Sequence, residues 1–264
     1  MATQPSSGPL GPEDPAPVAV LNTEAGSPFL LIGDHAGKLV PAKLGTLGVS
    51  PADMQRHIAC DIGVRGLGEA LAQRLDATFV HQIYSRLVID CNRDPASPDA
   101  IPEASDTIPI PGNIGLPVSE RDARIAALHE PYQSAIAAEI ADRSARGQRT
   151  ILVSLHSFTP RLTSQGGHQP LRPWHIGVLH GGGNPAFALR VLDELDSEPD
   201  IIAGDNEPYR MDETDHTVPR HAFVAGLPYI EIEVRQDLIG DEAGQHRWSE
   251  RIAAALSAAW AAIS

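Results

Sequence analysis

The sequence reads as an α/β protein built on a central, mostly parallel sheet with helices on both faces. Two observations carry this reading. Short continuous apolar runs suit strands that are buried on both sides. Segments with helical patterning and readable caps alternate with those runs from Phe29 to the C-terminus. Ahead of this body, residues 1–27 hold Pro5, Pro9, Pro12, Pro15 and Pro17 among Gly, Ser and acidic residues, the composition of a poorly ordered tail. Residues 28–264 are then expected to form one domain.

Taken in order, the expected strands are 29–32, 78–80, 87–89, 151–153, 176–179 and 201–202. The run 229–234 alternates instead, with Ile230, Ile232 and Val234 on one side and Glu231 and Glu233 on the other. Ser50 followed by Pro51 marks a helix start, and Asn184-Pro185 repeats the device. Ser119-Glu120-Arg121-Asp122 resembles a capping box and opens a long Ala-rich helix that Gly147 should end. The last helix is expected over residues 243–263.

Composition narrows the function. Twenty Lys and Arg against 34 Asp and Glu leave a formal charge of −14, which argues against nucleic-acid or anionic-membrane binding. Two cysteines, Cys60 and Cys91, make no disulfide framework and suit a reducing, cytoplasmic setting. The longest apolar run, residues 252–263, is shorter than the roughly 18 residues of a membrane span. The N-terminus has neither the basic start nor the apolar core of a secretory signal.

In open α/β sheets ligands bind beyond the carboxyl ends of strands. Those ends here carry Asp34-His35, Asp90-Cys91-Asn92-Arg93, His156-Ser157, His180-Gly181-Gly182-Gly183 and Asp205-Asn206-Glu207, while the last strand carries Glu231, Glu233 and Arg235. Histidine, carboxylate and arginine thus recur where a site would gather. The set suits a hydrolytic metal centre: imidazole and carboxylate hold zinc, a free carboxylate moves a proton, and arginine clamps an anionic substrate.

Several segments together resemble the N-formylglutamate amidohydrolase family, which is grouped with zinc-dependent exopeptidases near carboxypeptidases and aspartoacylase. They are Asp34-His35-Ala36-Gly37, Asp61-Ile62-Gly63, the block from Tyr84 to Arg93, Leu155-His156-Ser157, Gly204-Asp205, and Tyr229 through Leu238. The resemblance implies a three-layer αβα fold of the phosphorylase/hydrolase-like kind, with a mixed, mostly parallel sheet of about eight strands. It implies Zn2+, or another divalent cation, held by His35 and His156. The carboxypeptidase-like relatives space their first ligands His-x-x-Glu, but here Lys38 stands at the third residue after His35, so Asp61 is taken as the third ligand. Asn92 and Arg93 match a pair that holds the substrate carboxylate, and Glu233 matches the general base. Arg235 is expected to take a second carboxylate, and His221 to donate to the oxyanion. The implied reaction is hydrolysis of an N-acyl amino acid, N-formyl-L-glutamate first, to formate and the free amino acid.

Other readings attach to single residues. His57 is an alternative ligand if it shares a helix with Asp61, His180 is another, and Glu231 is an alternative base. Asp90 is expected to hold Arg86 or Arg93. The glycines after His180 resemble an oxyanion-hole loop of serine esterases, but no Gly-x-Ser-x-Gly occurs, and Ser154 and Ser157 lack that context. His129-Glu130 is followed by Pro131 and by no second histidine, which reads as an exposed helix feature. The proline-rich stretch 95–117 suits a lid. Rival functions are a related amidase acting on another carboxylate-bearing amide, and a small-ligand binder without chemistry. The sequence is silent on oligomeric state.

Overall fold

The computed structural model describes residues 8–161 and 170–263. Seven strands form one mixed sheet: β1 (Val18–Leu21), β2 (Phe29–Gly33), β3 (Thr78–Gln82), β6 (Ile151–Phe158), β7 (Ile176–Leu179), β8 (Ala203–Asp205) and β9 (Tyr229–Arg235). Between β3 and β6 a small ribbon pairs β4 (Ala104–Ser105) with β5 (Ile108–Pro109). The sheet order is β1-β3-β2-β6-β9-β7-β8. The central strands β3, β2, β6 and β9 run parallel, β1 closes one edge antiparallel, and β7 and β8 run parallel to each other but antiparallel to β9.

The helices are α1 (Val64–Leu75), α2 (Val118–Arg124), α3 (Glu130–Ala145), α4 (Ala186–Asp196) and α5 (Glu242–Ala261). Side-chain alternation along the strands sets the layers. Phe29, Leu31, Val153, Leu155, Ile230, Ile232 and Val234 pack with Leu67 and Leu71 of α1, Val191 of α4 and Leu256 of α5. Leu30, Ile32, Val80, Leu152 and Tyr229 pack on the opposite face with Tyr132 and Ile136 of α3. A third apolar cluster lies under the long loops, around Leu47, Tyr84, Leu87, Ile89, Ile110 and Leu128.

The structure departs from the sequence expectations at several elements. Within the stretch expected as a tail, Val18–Leu21 forms the edge strand β1 against β3, and Tyr84 Oη donates to the Pro15 carbonyl at 2.8 Å; residues 1–7 lie outside the described residues. The apolar run 87–89 is buried but forms turns rather than a strand, with Val88 N bonded to Ser85 O. Continuous apolarity reports burial, not extension. The strand expected at 201–202 begins only after that pair, at Ala203, and Ile202 is exposed. Ser50 does cap Asp53 N, yet only a 3-10 turn follows, Asp53–Gln55, and α1 starts after Gly63. Gly63, the N-cap of α1, has φ +85°, and a Cβ there would stand 2.1 Å from the Ile239 carbonyl oxygen; Asp61 lies in the loop before it and shares no helix with His57. The long helix after residue 117 exists but is interrupted. A π-helical turn, Ile125–His129, sits between α2 and α3, and Gly147 with φ +67° follows the C-cap.

Candidate active site

The central strands deliver the site. β2 ends at Gly33, so Asp34 and His35 turn out at its carboxyl end. On β6, Ser154 and His156 face away from the helices α1, α4 and α5, because Val153 and Leu155 occupy that side. The register pairs Ser154 with Glu231 and His156 with Glu233, which sets both glutamates on the same face as His156. Asp61 comes from the loop before α1. Its backbone N–H donates to His35 O at 2.9 Å, which ties that loop to the β2 end.

Three donor atoms, one each from His35, Asp61 and His156, lie within 4.8 Å of one another, and all three residues are buried. Asp61 Oδ2 is the hub: His156 Nδ1 stands 3.0 Å from it and His35 Nδ1 3.5 Å. Donors bonded at ~2.0–2.2 Å to one tetrahedral ion stand roughly 3.3 Å apart, so this spacing fits a shared cation. The outer nitrogens are already committed. His35 Nε2 meets Asp90 Oδ1 at 2.7 Å, and His156 Nε2 meets Ser154 Oγ at 3.0 Å with Asp34 Oδ2 at 3.6 Å. Carboxylate or hydroxyl partners on the outer nitrogen are what orients imidazole toward a metal. Asp90 in turn receives Nε and Nη2 of Arg86 on Oδ2, at 3.1 and 2.7 Å, and Arg86 Nη1 reaches Asp61 Oδ1 at 3.3 Å.

Charge and burial point the same way. Four buried side-chain atoms here have no hydrogen-bond partner: Asp34 Oδ2, His35 Nδ1, Glu231 Oε2 and Glu233 Oε2. Five carboxyl groups (Asp34, Asp61, Asp90, Glu231 and Glu233) surround two imidazoles and one guanidinium, a surplus of acidic groups that burial makes costly to ionise. A divalent cation offsets that surplus and takes up the idle lone pairs, so the residues present fit one. Burial opposes ionisation of Asp61, but the His35 and His156 imidazoles and Arg86 outweigh it and hold the carboxyl well below its usual range. Burial pushes Glu231 up to about 7. Burial, with the charges of Asp61 and Glu231, pushes Glu233 up to about 8.

These groups open on a cavity of about 390 Å³ whose wall includes His35, Asp61, His156, Glu231, Glu233, Arg86, Asn92 and Arg93. Arg93 spends Nη1 on the carbonyls of Asn92 and Thr214 and keeps Nε and Nη2 without an acceptor among the described residues. The Asn92 side chain is engaged on both sides: Nδ2 donates to Asp215 Oδ1 at 3.2 Å, and Oδ1 accepts from His216 N and Thr217 N at 3.0 Å each.

Two expected residues stand elsewhere. Arg235 is turned onto Asp237 Oδ1 at 2.8 Å and onto the carbonyls of Arg172 and Trp174, outside the cavity wall. It follows the alternation of Glu231 and Glu233, but it is the last residue of β9, where the 3-10 turn Gln236–Leu238 brings Asp237 within its reach. His221 is buried outside the cavity wall with Nε2 2.7 Å from Gln133 Oε1, and burial pulls its pKa down to about 4; its Nε2 is thus spent on Gln133 rather than turned to the cavity. His57 reaches the cavity rim but pairs with Asp106 Oδ2 at 3.5 Å, outside the donor cluster. His180 pairs with Asp205 at 2.7 Å. None of residues 95–117 lines the cavity, whose wall instead includes Tyr209, Arg210, Asp212, Thr214 and Asp215. Nothing in the sequence marks Tyr209 and Arg210 as wall residues, because the stretch after Glu207 carries no strand pattern.

A mixed sheet with helices on both faces and a buried histidine–carboxylate cluster at its strand ends define an α/β protein with a candidate metal centre. The chain belongs to the N-formylglutamate amidohydrolase family, whose model matches residues 27–240, and so to the hydrolases of amide C–N bonds. It is similar over 96% of its length to 98% of the gene product Atu2144 of Agrobacterium tumefaciens, at 34% identity and a TM-score of 0.90. An N-formylglutamate amidohydrolase from Ralstonia eutropha shares the fold at 22% identity and a TM-score of 0.63, over 93% of this chain and 97% of that one. No curated protein matches the sequence. Among the described residues, no helix is long and apolar enough to cross a membrane.

Proposed function

We propose that the protein is a metal-dependent amidohydrolase that cleaves N-formyl-L-glutamate, or a close N-acyl amino acid, to the carboxylic acid and the free amino acid. The observation that carries this reading is the convergence of His35, Asp61 and His156 donor atoms within 4.8 Å, in a cavity that also holds an unpartnered glutamate oxygen. His35, Asp61 and His156 would hold the cation. When bound, it supplies Lewis acidity, polarising an acyl carbonyl and making water nucleophilic near neutral pH.

The chain's own residues do the rest. Glu233, on the strand beside His156, takes the proton from the attacking water at Oε2 and returns it to the departing nitrogen. Its raised pKa suits a group that must both accept and release a proton near neutrality. Glu231 beside it helps keep that pKa high through like charge. Arg93 offers its free Nε and Nη2 to the substrate carboxylate, a planar pairing that fixes the amide relative to Glu233. Asn92 anchors the segment that carries Arg93. Water adds across one C–N bond, and no oxidant or second substrate is needed.

The wall also has apolar members, Phe158, Leu179 and Tyr209, which favour a second reading with a larger acyl group. The test is formate release from N-formyl-L-glutamate by protein loaded with Zn2+, Mn2+ or Fe2+, before and after chelation, beside a panel of longer N-acyl amino acids. Chelator-sensitive formate release supports the first reading. Turnover of the longer donors alone supports the second. Turnover of neither by folded, metal-loaded protein rejects both.

A further inference from the structure

His129 is fully buried, lies outside the cavity wall and takes no part in the donor cluster. Its sequence context suggested an exposed helix feature; the structure shows why it is not. Pro131 has no N–H to give to the carbonyl four residues back, and its ring crowds that carbonyl. The helix widens into the π turn Ile125–His129 immediately before it. The wide turn directs His129 inward.

There Nε2 stands 3.1 Å from the backbone carbonyl oxygen of Arg93. A carbonyl only accepts, so Nε2 carries the hydrogen and donates. Burial holds the imidazole neutral by lowering its pKa, and Nδ1 is left without a partner. The ring rests against His216, centroids 5.3 Å apart. His216 N and Thr217 N hold the Asn92 side chain, and one helical turn beyond His129, Gln133 Nε2 donates to Cys91 O at 2.8 Å. Residues 91, 92 and 93 are therefore each gripped by a separate hydrogen bond from the helical layer or from the 216–217 backbone.

We infer that His129 is a positioning residue: by holding the Arg93 carbonyl it sets the direction in which Arg93 presents Nε and Nη2 to a substrate carboxylate. This rests on the reading above that Arg93 binds such a group. The pair of substitutions that isolates it is His129→Gln and His129→Asn. The longer amide places an N–H where Nε2 stands, and the shorter one stops short of the carbonyl. The assay is isothermal titration of the full chain with L-glutamate and with L-isoglutamine, its α-carboxamide, which needs no turnover.

Unaltered protein should bind glutamate at least tenfold tighter than isoglutamine. His129→Gln should keep that ratio within twofold, and His129→Asn should cut it at least fivefold while isoglutamine binding holds. If the Asn variant does not fold, His129→Phe, which keeps the ring against His216 and lacks the donor, carries the same expectation. A merely structural histidine would lower thermal stability in these variants and leave the ratio alone. A ratio unchanged in the donor-free variant, equal losses in the Gln and Asn variants, or no preference for glutamate in the unaltered protein overturns the inference. Formate release is scored separately: a chain that selects glutamate but releases no formate keeps this inference and loses the proposed reaction.

Discussion

Replacing Asp61 with Asn removes one charge and almost no volume, so it isolates what the carboxylate does. In the structure Oδ2 accepts from Ser157 N at 3.3 Å and stands 3.0 Å from His156 Nδ1 and 3.5 Å from His35 Nδ1, while Oδ1 accepts from Arg86 Nη1 at 3.3 Å. An amide has one acceptor oxygen, so whichever way the introduced side chain turned, its NH2 would confront a donor. Removing one partner of a buried ion pair costs about 3–5 kcal/mol, and Arg86, which keeps Asp90, argues for the lower end. Relief of repulsion from Glu231 and Glu233 offsets this only weakly, since pKa values of about 7 and about 8 leave the first near half and the second mostly protonated at neutral pH. For a chain of this size, a loss near 3 kcal/mol is a fall in Tm of roughly 6–12 °C without metal. The second readout is metal-induced stabilisation. At 100-fold excess over Kd a cation adds ~2.7 kcal/mol, or about 5–11 °C, and with one of three ligands lost that increment should drop below about 2 °C. Differential scanning fluorimetry with Zn2+ and with EDTA reads both. An Asn variant that melts with the unaltered protein and keeps its full zinc-induced shift would refute the assignment of Asp61 as hub and ligand.

Glu233→Gln should lower kcat by roughly 10²–10⁴-fold while bound metal, measured by elemental analysis, is retained; turnover within threefold removes Glu233 as the base. Arg93→Lys keeps a charge but loses the planar fork, so KM for a carboxylate substrate should rise about tenfold or more with kcat little changed, and an unchanged KM counts against the clamp. His221 titrates in the folded state at about 4 against an ordinary value of 6.5. A base whose pKa is lowered on folding contributes fully above about 6.5, and that contribution is lost as pH falls toward about 4, because the unfolded chain takes the proton first. The loss is at most about 3 kcal/mol, and His221→Asn should flatten the fall in urea midpoint between pH 7 and pH 4.5. Gly63→Ala forces a Cβ to 2.1 Å from Ile239 O at φ +85°; about 2 kcal/mol or more of stability should go, and a variant with native stability would show that the loop before α1 shifts freely.

Much of this was legible in the sequence because the informative pattern was local. Alternation in residues 229–234 put Glu231 and Glu233 on one face, and the structure agrees. Strand-end histidines His35 and His156 could be read as neighbours because parallel strands place their carboxyl ends together. Asp61 was reachable only through the family resemblance, since its approach depends on a loop fixed by Gly63 and by the Asp61 N to His35 O bond. Where expectation failed, non-local packing or a competing partner decided. Residues 87–89 are apolar because they lie under the long loops, not because they pair. Arg235 shares the alternation of the two glutamates, but alternation gives a side chain's face and not its partner, and Asp237 claims the guanidinium as the strand ends. His129 and Pro131 looked like surface punctuation, since nothing local says that a proline will widen the turn before it and bury the histidine.

The two glutamates show why this sheet gathers a site where it does. A central strand with a neighbour on each edge and layers on both faces is among the most desolvated backbone in an α/β fold, and a carboxylate there is normally excluded. β9 carries two, opposite Ser154 and His156, where the cavity opens. Swapping Glu233 for an apolar residue would relieve that penalty, and Ile232 and Val234 show that the strand accepts such side chains on its other face. The same burial that makes Glu233 unfavourable for folding lifts its pKa into the range where a proton can be taken and returned. If Glu233 is the base proposed above, the stability given up there and the proton transfer gained have one physical cause, so Glu233→Leu should raise Tm in metal-free protein while abolishing turnover. A leucine variant that is less stable than the parent would mean that Glu233 is satisfied by its surroundings and that its raised pKa does not come from a desolvation cost.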